Sequence, residues 1–479
     1  MAFSAEIERF IREYSKEIEE NNAAIFAGAG LSVGAGYVDW RKLLKPIADE
    51  LKLDVEREHD LVSLAQYHVN EAGGNRGKLN RLLIEEFSRQ ARLTENHRLL
   101  ARLPISVFWT TNYDKLIERA LEQEGKRPDV KHEVKQLQLT KPGRDAVVYK
   151  MHGDADHPAD AVLIKDDYER YHQERQLFLT ALSGDLVSMT FLFLGLSFSD
   201  PNLDYILSRV RIWLGKNVRQ HYAILRRIQR RDVRGKAAYE YEAQRQYLFI
   251  NDLKRFGIQT LLIDDYADIT RILARLYELH RGRSILISGS AHEFGRWDRD
   301  SAEAFVRRIS GDLIKNGYRV VSGFGLGIGS AVISGALEKI YAEADVSVGE
   351  KLILRPFPQT VTRGQNRAQL YTRYRQDLAS LAGTAIFLFG NRLQGGQVVD
   401  APGVEEEFNI AVENGLKVIP IGATGYAARS LWQRVNEDFD RYFPNAKGLK
   451  RPFARLGKED ANEETIISSL LEILGRLKG

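Results

Sequence analysis

The chain of 479 residues contains no cysteine. Disulfides, thiol nucleophiles and cysteine-ligated zinc are therefore excluded. It also lacks a long apolar run: the longest, around residues 191–196, falls far short of the roughly 20 residues that a bilayer crossing needs. No charged-then-apolar leader opens it, only a polar, acidic amphipathic stretch. Neither sign of charge is in excess. Lysine and arginine number 69 against 65 acidic residues, a net +4 that leaves no electrostatic footprint for nucleic acid. These absences predict a cytoplasmic protein with no membrane and no nucleic-acid partner.

What is present describes an ordinary globular chain too long for a single core. Apolar residues make up 44% of it and charged residues 28%. Ile7, Phe10, Ile11, Tyr14 and Ile18 recur at helical spacing, so an amphipathic helix is expected first. From Ala23 onward, short apolar runs at residues 23–26, 107–111, 147–150, 191–194, 221–225 and 260–263 alternate with longer helical patterns. That alternation is the signature of a doubly wound α/β domain. Arg281-Gly282-Arg283 reads as a short, charged, flexible joint. Beyond it the alternation restarts at residues 284–287, 318–322, 351–354, 385–389 and 418–421. Two doubly wound (Rossmann-like) α/β domains are therefore expected, over residues 1–282 and 283–479.

Four of the early runs end in polar motifs. In an open parallel sheet, ligands bind beyond the carboxyl ends of the strands, where strand order reverses, so these motifs can converge on one crevice. Gly28-Ala29-Gly30 follows the first run and would let backbone amides approach a pyrophosphate, although a tight strand-to-helix turn explains a lone glycine pair equally well. Asn112 follows Trp109-Thr110-Thr111 and precedes Asp114, a candidate helix cap. Its amide either makes a simple Asx turn or serves ribose hydroxyls and a water. His152 stands at the next strand end, beside Gly153, which leaves room for a ligand, and Asp154. A histidine is by default structural, but its position among these motifs favours a role in the crevice.

Together the motifs resemble the sirtuin family. A GAGxS loop, a T-x-N-x-D segment, a His-Gly pair and a later G-x-S read here as Gly28–Ser32, Thr110–Asp114, His152-Gly153 and Gly195–Ser197. The resemblance implies NAD as substrate, contacted by Ala23, Gly28, Ala29, Gly30, Ser32, Asn112, Asp114 and Ser197, with His152 and Asn112 catalytic. Sirtuin deacylases carry a zinc ribbon held by four cysteines, which this chain lacks. Water then replaces the acyl-lysine as acceptor, and the expected reaction is NAD hydrolysis to nicotinamide and ADP-ribose, with no metal. A zinc-free protein deacylase and a non-catalytic NAD or ADP-ribose sensor are the alternatives. A nucleic-acid role for the arginine-rich residues 226–234 ranks below these, because Ile228 and Val233 suit a solvated helix face with packing positions.

The second half offers its own crevice, with Ser288-Gly289-Ser290, residues 323–327, Arg355-Pro356-Phe357 and Gly390-Asn391-Arg392 at strand ends. Bare amides and arginines suit phosphate, and Phe357 offers a face to a purine. The same arginines read equally as surface ion pairs. This half resembles the SLOG nucleotide-binding domains, but residues 402–407 lack the GxGT core of the enzymatic members, so binding and not hydrolysis is expected. A sirtuin-like domain followed by a SLOG-like one resembles the layout of the Thoeris anti-phage defence effectors. That resemblance implies a cyclic ADP-ribose isomer, made by a separate TIR-domain protein, that binds the second domain, reorganises a homotetramer and switches on NAD depletion. The signal-binding residues it implies are Gly289, Ser290, Leu326, Phe357, Arg375, Arg392, Gly403 and Glu407.

Overall fold

A computed structural model describes residues 3–478 apart from 90, 199, 216, 343–346, 359–365 and 445. The chain divides into two compact units, Met1–Tyr277 and Glu278–Gly479, each built on an all-parallel sheet with helices in the crossovers.

The first unit holds seven strands: β1 (Ala23–Ala27), β2 (Val107–Thr110), β3 (Pro128–Lys131), β4 (Ala146–Lys150), β5 (Thr190–Leu194), β6 (His221–Arg226) and β7 (Ile258–Ile263). Their order is β3-β4-β2-β1-β5-β6-β7. Every residue of β1 and β5 is buried, as expected of central strands covered on both faces, which is why they read as unbroken apolar runs. The opening helix, Ala5–Glu19, buries all five of its periodic apolar residues, and its Tyr14 hydroxyl donates to the carbonyl of Ala24 in β1 (2.8 Å). The sequence gives no sign of β3, whose Pro-Asp-Val-Lys has a single aliphatic residue. It is an edge strand in which the Lys131 ammonium sits 2.8 Å from the Asp129 carboxylate, the kind of charged edge that resists further pairing. The chain builds outward from β1 to β2 on one side and β5 on the other. Strand order therefore reverses at β1/β5, and the loops after these strands open the crevice.

The second unit has the order β10-β9-β8-β11-β14, with β8 (Ser284–Ser290), β9 (Arg319–Ser322), β10 (Leu352–Leu354), β11 (Thr384–Phe389) and β14 (Lys417–Pro420). Here the reversal falls between β8 and β11. An antiparallel hairpin, β12 (Asn391–Gln394) and β13 (Gln397–Asp400), follows β11 and turns through Gly395-Gly396, a favoured two-residue hairpin turn that was not anticipated.

Two expectations are corrected. Arg281-Gly282 is no flexible joint but the last turn of helix Ala267–Gly282. Its Arg281 guanidinium donates to the carbonyls of Ala382 (2.7 Å) and Ala379 (3.3 Å), at and just beyond the end of helix Arg367–Ser380. Residues 226–234 form no helix face. Arg226 ends β6 and reaches back 2.9 Å to Asp232 in a short 3₁₀ turn, Arg230–Asp232, where this local ion pair competes with helix formation. Among the described residues no helix is long and apolar enough to cross a membrane.

Candidate active site

The crevice of the first unit is organised by one close backbone approach. Gly195, at the end of β5 with φ +65°, packs on the loop after β1 so tightly that a Cβ there would lie 2.3 Å from the Leu31 nitrogen. A Cβ on Gly30 would sit 2.9 Å from the Gly195 Cα, and one on Gly28 would sit 2.5 Å from the Gly195 carbonyl oxygen. The glycine pair thus answers first to protein packing. Gly28 does not line the cavity, whereas Ala29 and Gly30 do.

Asn112 ties this loop to the end of β2. Its Nδ2 donates to the Gly28 carbonyl and to Ser32 Oγ, each at 3.0 Å. Because a carbonyl only accepts, this contact fixes which end of the amide is nitrogen. Ser32 Oγ in turn donates a hydrogen bond to Asp114 Oδ2 (2.7 Å), and Asp114 Oδ1 accepts from the Leu116 amide (2.9 Å). Asp114 therefore both steadies the start of helix Leu116–Gln123 and anchors the loop. Both donor bonds of Asn112 are spent on the protein, while its buried Oδ1 has no partner among the described residues. A buried unsatisfied acceptor in a cavity wall costs roughly 1–3 kcal/mol unless something donates to it.

His152 follows β4, and its buried ring is surrounded by Tyr113, Tyr168 and Tyr171, with centroids at 6.5, 5.5 and 6.4 Å. Its Nε2 lies 2.9 Å from Asp200 Oδ2, at the start of helix Pro201–Leu214. Burial pushes the Asp200 carboxyl up, but the adjacent His152 and the Leu203 and Asn202 amides outweigh it and hold the group below its ordinary range. Behind the site, Lys150 is fully buried at the end of β4. Its ammonium donates to the carbonyls of Tyr113 (3.1 Å) and Asp114 (2.6 Å) and to Asp154 Oδ2 (2.6 Å), and lies 3.1 Å from Glu118. Burial pulls the Lys150 ammonium down, yet Glu118 and Asp154 hold it above its usual value, and so charged.

These residues bound one cavity of about 450 Å³. Ala29, Gly30, Ser32, Asn112, Asp114, His152 and Ser197 all line it, so the structure gathers most of the residues singled out from sequence. Val38, Trp40, Leu43, Val62 and Phe87 supply an apolar wall. Ala23 does not belong. It opens β1, paired with Thr190, about 16 Å along the strand from the glycine loop, and is buried in the core. The space beside Gly153 is not free for a ligand either, since a Cβ there would lie 3.1 Å from the Ala161 Cα. Asp154 turns away from the cavity to Lys150. Asp200 and Lys150 were missed. The signal for Lys150 was a charge closing an apolar run, and for Asp200 an Asp-Pro pair, a helix-start signature. Elsewhere in this unit, Glu133, His157 and Asp160 bring metal-capable atoms within 4.8 Å of one another, but none of the three lines the cavity.

In the second unit the structure brings together Phe357, Arg375, Gly403 and Glu407. The Arg375 guanidinium carbon stands 5.3 Å over the Phe357 ring, and its Nη1 lies 2.9 Å from Glu406 Oε2 and its Nε 3.5 Å from Glu407 Oε1. A Cβ on Gly403 would meet Arg375 Nη2 at 2.7 Å. Glu407 is largely covered, which pushes its carboxyl up, and it accepts from Ser288 Oγ (2.5 Å). Arg375 is thus ion-paired with both glutamates, yet among the described residues its buried Nε makes no hydrogen bond. The remaining candidates are differently placed. Gly289 is enclosed in β8 against the Leu388 carbonyl, Ser290 Oγ donates to the Asn391 carbonyl (3.1 Å), and Leu326 is exposed on the loop after β9. Arg392 lies exposed on the hairpin, bonded to Gln394 of its own strand (2.6 Å).

A cavity with a histidine and an unsatisfied asparagine at the reversal point of one parallel sheet, joined to a second α/β unit, defines a sirtuin-like protein carrying a SLOG-type unit. Residues 106–248 match the family described as SIR2-like domain, and residues 268–477 match the Sir2- and TIR-associating SLOG family. The chain is 51% identical over 469 residues to the NAD(+) hydrolase ThsA of Bacillus cereus (strain MSX-D12), covering 98% of each. It is 48% identical to the protein of that name from Acinetobacter baumannii (strain 532279), over 98% of this chain and 99% of the relative. The one from Cytobacillus dafuensis is 46% identical over 100% of this chain and 98% of its own length. The chain belongs to the ThsA family of NAD(+) hydrolases.

Proposed function

We propose that this chain hydrolyses NAD to nicotinamide and ADP-ribose, and that a cyclic ADP-ribose isomer bound in its second unit switches that activity on as an anti-phage defence. The observation that carries the first part is the placement of His152 and the unsatisfied Asn112 Oδ1 in one cavity beside the Gly28–Ser32 loop. The apolar wall suits the nicotinamide ring, where water is excluded. The Gly28 and Gly30 amides are spent on the Leu194 and Gly195 carbonyls and leave the diphosphate to the rest of the loop. Rupture of the N-glycosidic bond develops oxocarbenium character on the ribose. Asn112 Oδ1 then accepts from a ribose hydroxyl or from the attacking water, and His152 takes the water's proton.

The second part is supported by the SLOG match, by that family's description as TIR-associating, and by the Arg375–Phe357 pair, which suits a phosphate beside a purine. In this reading a TIR-domain protein makes the signal, the active form is a homotetramer, and the enzyme works in the cytoplasm. Unregulated NAD hydrolysis is lethal, so the off state must dominate. A shift from mostly off to mostly on needs roughly 10⁴-fold preference of the signal for the active form, less per site when four sites are coupled.

The test is nicotinamide release from NAD by the purified protein, with and without cyclic ADP-ribose isomers. Release that depends on signal, and that is lost in folded His152→Ala, is the expected result. Turnover retained by His152→Ala would remove His152 from the mechanism.

A further inference from the structure

Asp200 uses its two oxygens for two purposes. As the cap of helix Pro201–Leu214, its Oδ1 accepts from the backbone amides of Asn202 (2.9 Å) and Leu203 (3.0 Å). Capping fixes the carboxylate in place, and Oδ2 is thereby held 2.9 Å from His152 Nε2 in the cavity wall, where the histidine is buried and Asp200 is largely but not fully covered. The contact is an ion-pair approach, with the N–H not aligned on the oxygen in this structure. The ionised carboxylate favours the imidazole proton on Nε2 and leaves the lone pair on Nδ1. Among the described residues neither ring nitrogen of His152 makes an aligned hydrogen bond. The other titratable groups against the ring are Tyr113 from the loop after β2 and Tyr168 and Tyr171 from helix Lys165–Glu174. Burial pushes all three phenols up, so they stay neutral, and Asp200 is the ionised neighbour of the ring.

We propose that Asp200 is a positioning residue for NAD hydrolysis: it holds His152 in the tautomer whose Nδ1 is the base, and it stabilises the imidazolium that forms. The inference rests on the NAD-hydrolase reading above. In the step it serves, a water oxygen bonds to the anomeric carbon of the ribose as the bond to the nicotinamide nitrogen breaks. The electron pair of that bond leaves on the nicotinamide. The water's proton passes to Nδ1, giving an imidazolium whose Nε2–H remains on Asp200, and the proton is afterwards released to solvent. NAD and water thus give nicotinamide, ADP-ribose and a proton.

Asp200→Asn separates this role from helix capping. Asparagine caps as well as aspartate, so the helix start survives. With its oxygen on the helix amides, its NH₂ faces Nε2 and donates, which drives the imidazole proton to Nδ1 and removes the base. In signal-activated protein, D200N is expected to keep its fold and KM while nicotinamide release falls roughly 10²- to 10⁴-fold. The acidic limb of its residual pH–rate profile moves to lower pH, because the imidazolium has lost its carboxylate. Asp200→Ser, capped but carrying no amide to donate, is expected to fall less than D200N. Wild-type turnover in D200N with an unmoved pH profile overturns the assignment while leaving NAD hydrolysis standing, as does a loss confined to KM or equal in D200N and D200S. A wild-type protein that releases no nicotinamide under any condition overturns both.

Discussion

Gly195 and Gly30 stand where a side chain on either would enter the backbone of the other's loop, and this contact sets the floor of the cavity. Gly195→Ala combines a positive φ with a Cβ 2.3 Å from the Leu31 nitrogen. It is expected to destabilise the first unit by about 2–5 kcal/mol, from left-handed strain and overpacking together. A lowered thermal midpoint with weakened NAD binding by calorimetry is the expected pair of readings. An unchanged midpoint would mean that the two loops part easily.

Asn112 spends its NH₂ on the loop and keeps its oxygen for a ligand. Asn112→Ala removes two hydrogen bonds, worth about 1 kcal/mol each, so the protein remains folded. Its nicotinamide release is expected to drop by at least about 100-fold, the general-base range. Activity within a few-fold of wild type would show that the unsatisfied oxygen meets no substrate.

Lys150 holds the segments of Tyr113-Asp114 and Asp154 together from behind the cavity. Lys150→Met strands two buried carboxyl groups and is expected to cost about 3–5 kcal/mol. Adding Asp154→Asn removes one stranded charge and is expected to return part of that loss. Differential scanning calorimetry of the single and double variants checks it; additive losses would mean that the two residues are not coupled.

Two histidines away from the cavity set an acid limit on stability. Burial pushes His97 down to about 4 and His221 down to about 3. The unfolded chain, with ordinary histidines, then binds more protons than the folded one below about pH 6.5. Stability is therefore full above that pH and falls as pH drops toward 4, by on the order of 3 kcal/mol per histidine. Thermal midpoints measured from pH 7.5 to 4.5 are expected to decline, and less steeply in His221→Gln.

Arg375 is already paired with Glu406 and Glu407, so a phosphate must compete for it. Arg375→Ala is expected to weaken signal binding roughly 10- to 100-fold, the worth of a charge-assisted hydrogen bond, and to leave ligand-free behaviour unchanged. Titrating nicotinamide release against a cyclic ADP-ribose isomer checks this. Activation at the wild-type concentration would remove Arg375 from the signal site.

The central strands were legible because a strand covered on both faces is largely apolar: β1 is so throughout, and β2, β4 and β5 are but for one terminal residue each, Thr110, Lys150 and Thr190. Edge strand β3 was not legible, since an edge tolerates charge and Pro128-Asp129-Val130-Lys131 has no apolar pattern. Local chemistry misled where a neighbour decided the outcome. Arg281-Gly282 looks like a joint until the carbonyls of Ala379 and Ala382 claim the guanidinium.

By itself the sequence determined the alternation of apolar runs and helical patterns, and with it two parallel α/β sheets and the polar motifs at their strand ends. It also determined the absence of cysteine, and so of a zinc ribbon. Only the tertiary structure decided which of those groups meet. Asn112 reaches Gly28 across 84 positions of chain and Ser32 reaches Asp114 across 82, because β1 and β2 are neighbours in the sheet. The tertiary structure likewise set Asp200 on His152, and it removed Ala23 from the site by placing it at the wrong end of its strand. Hydrophobic periodicity records which side of an element is buried; it carries no information on which distant polar group stands opposite.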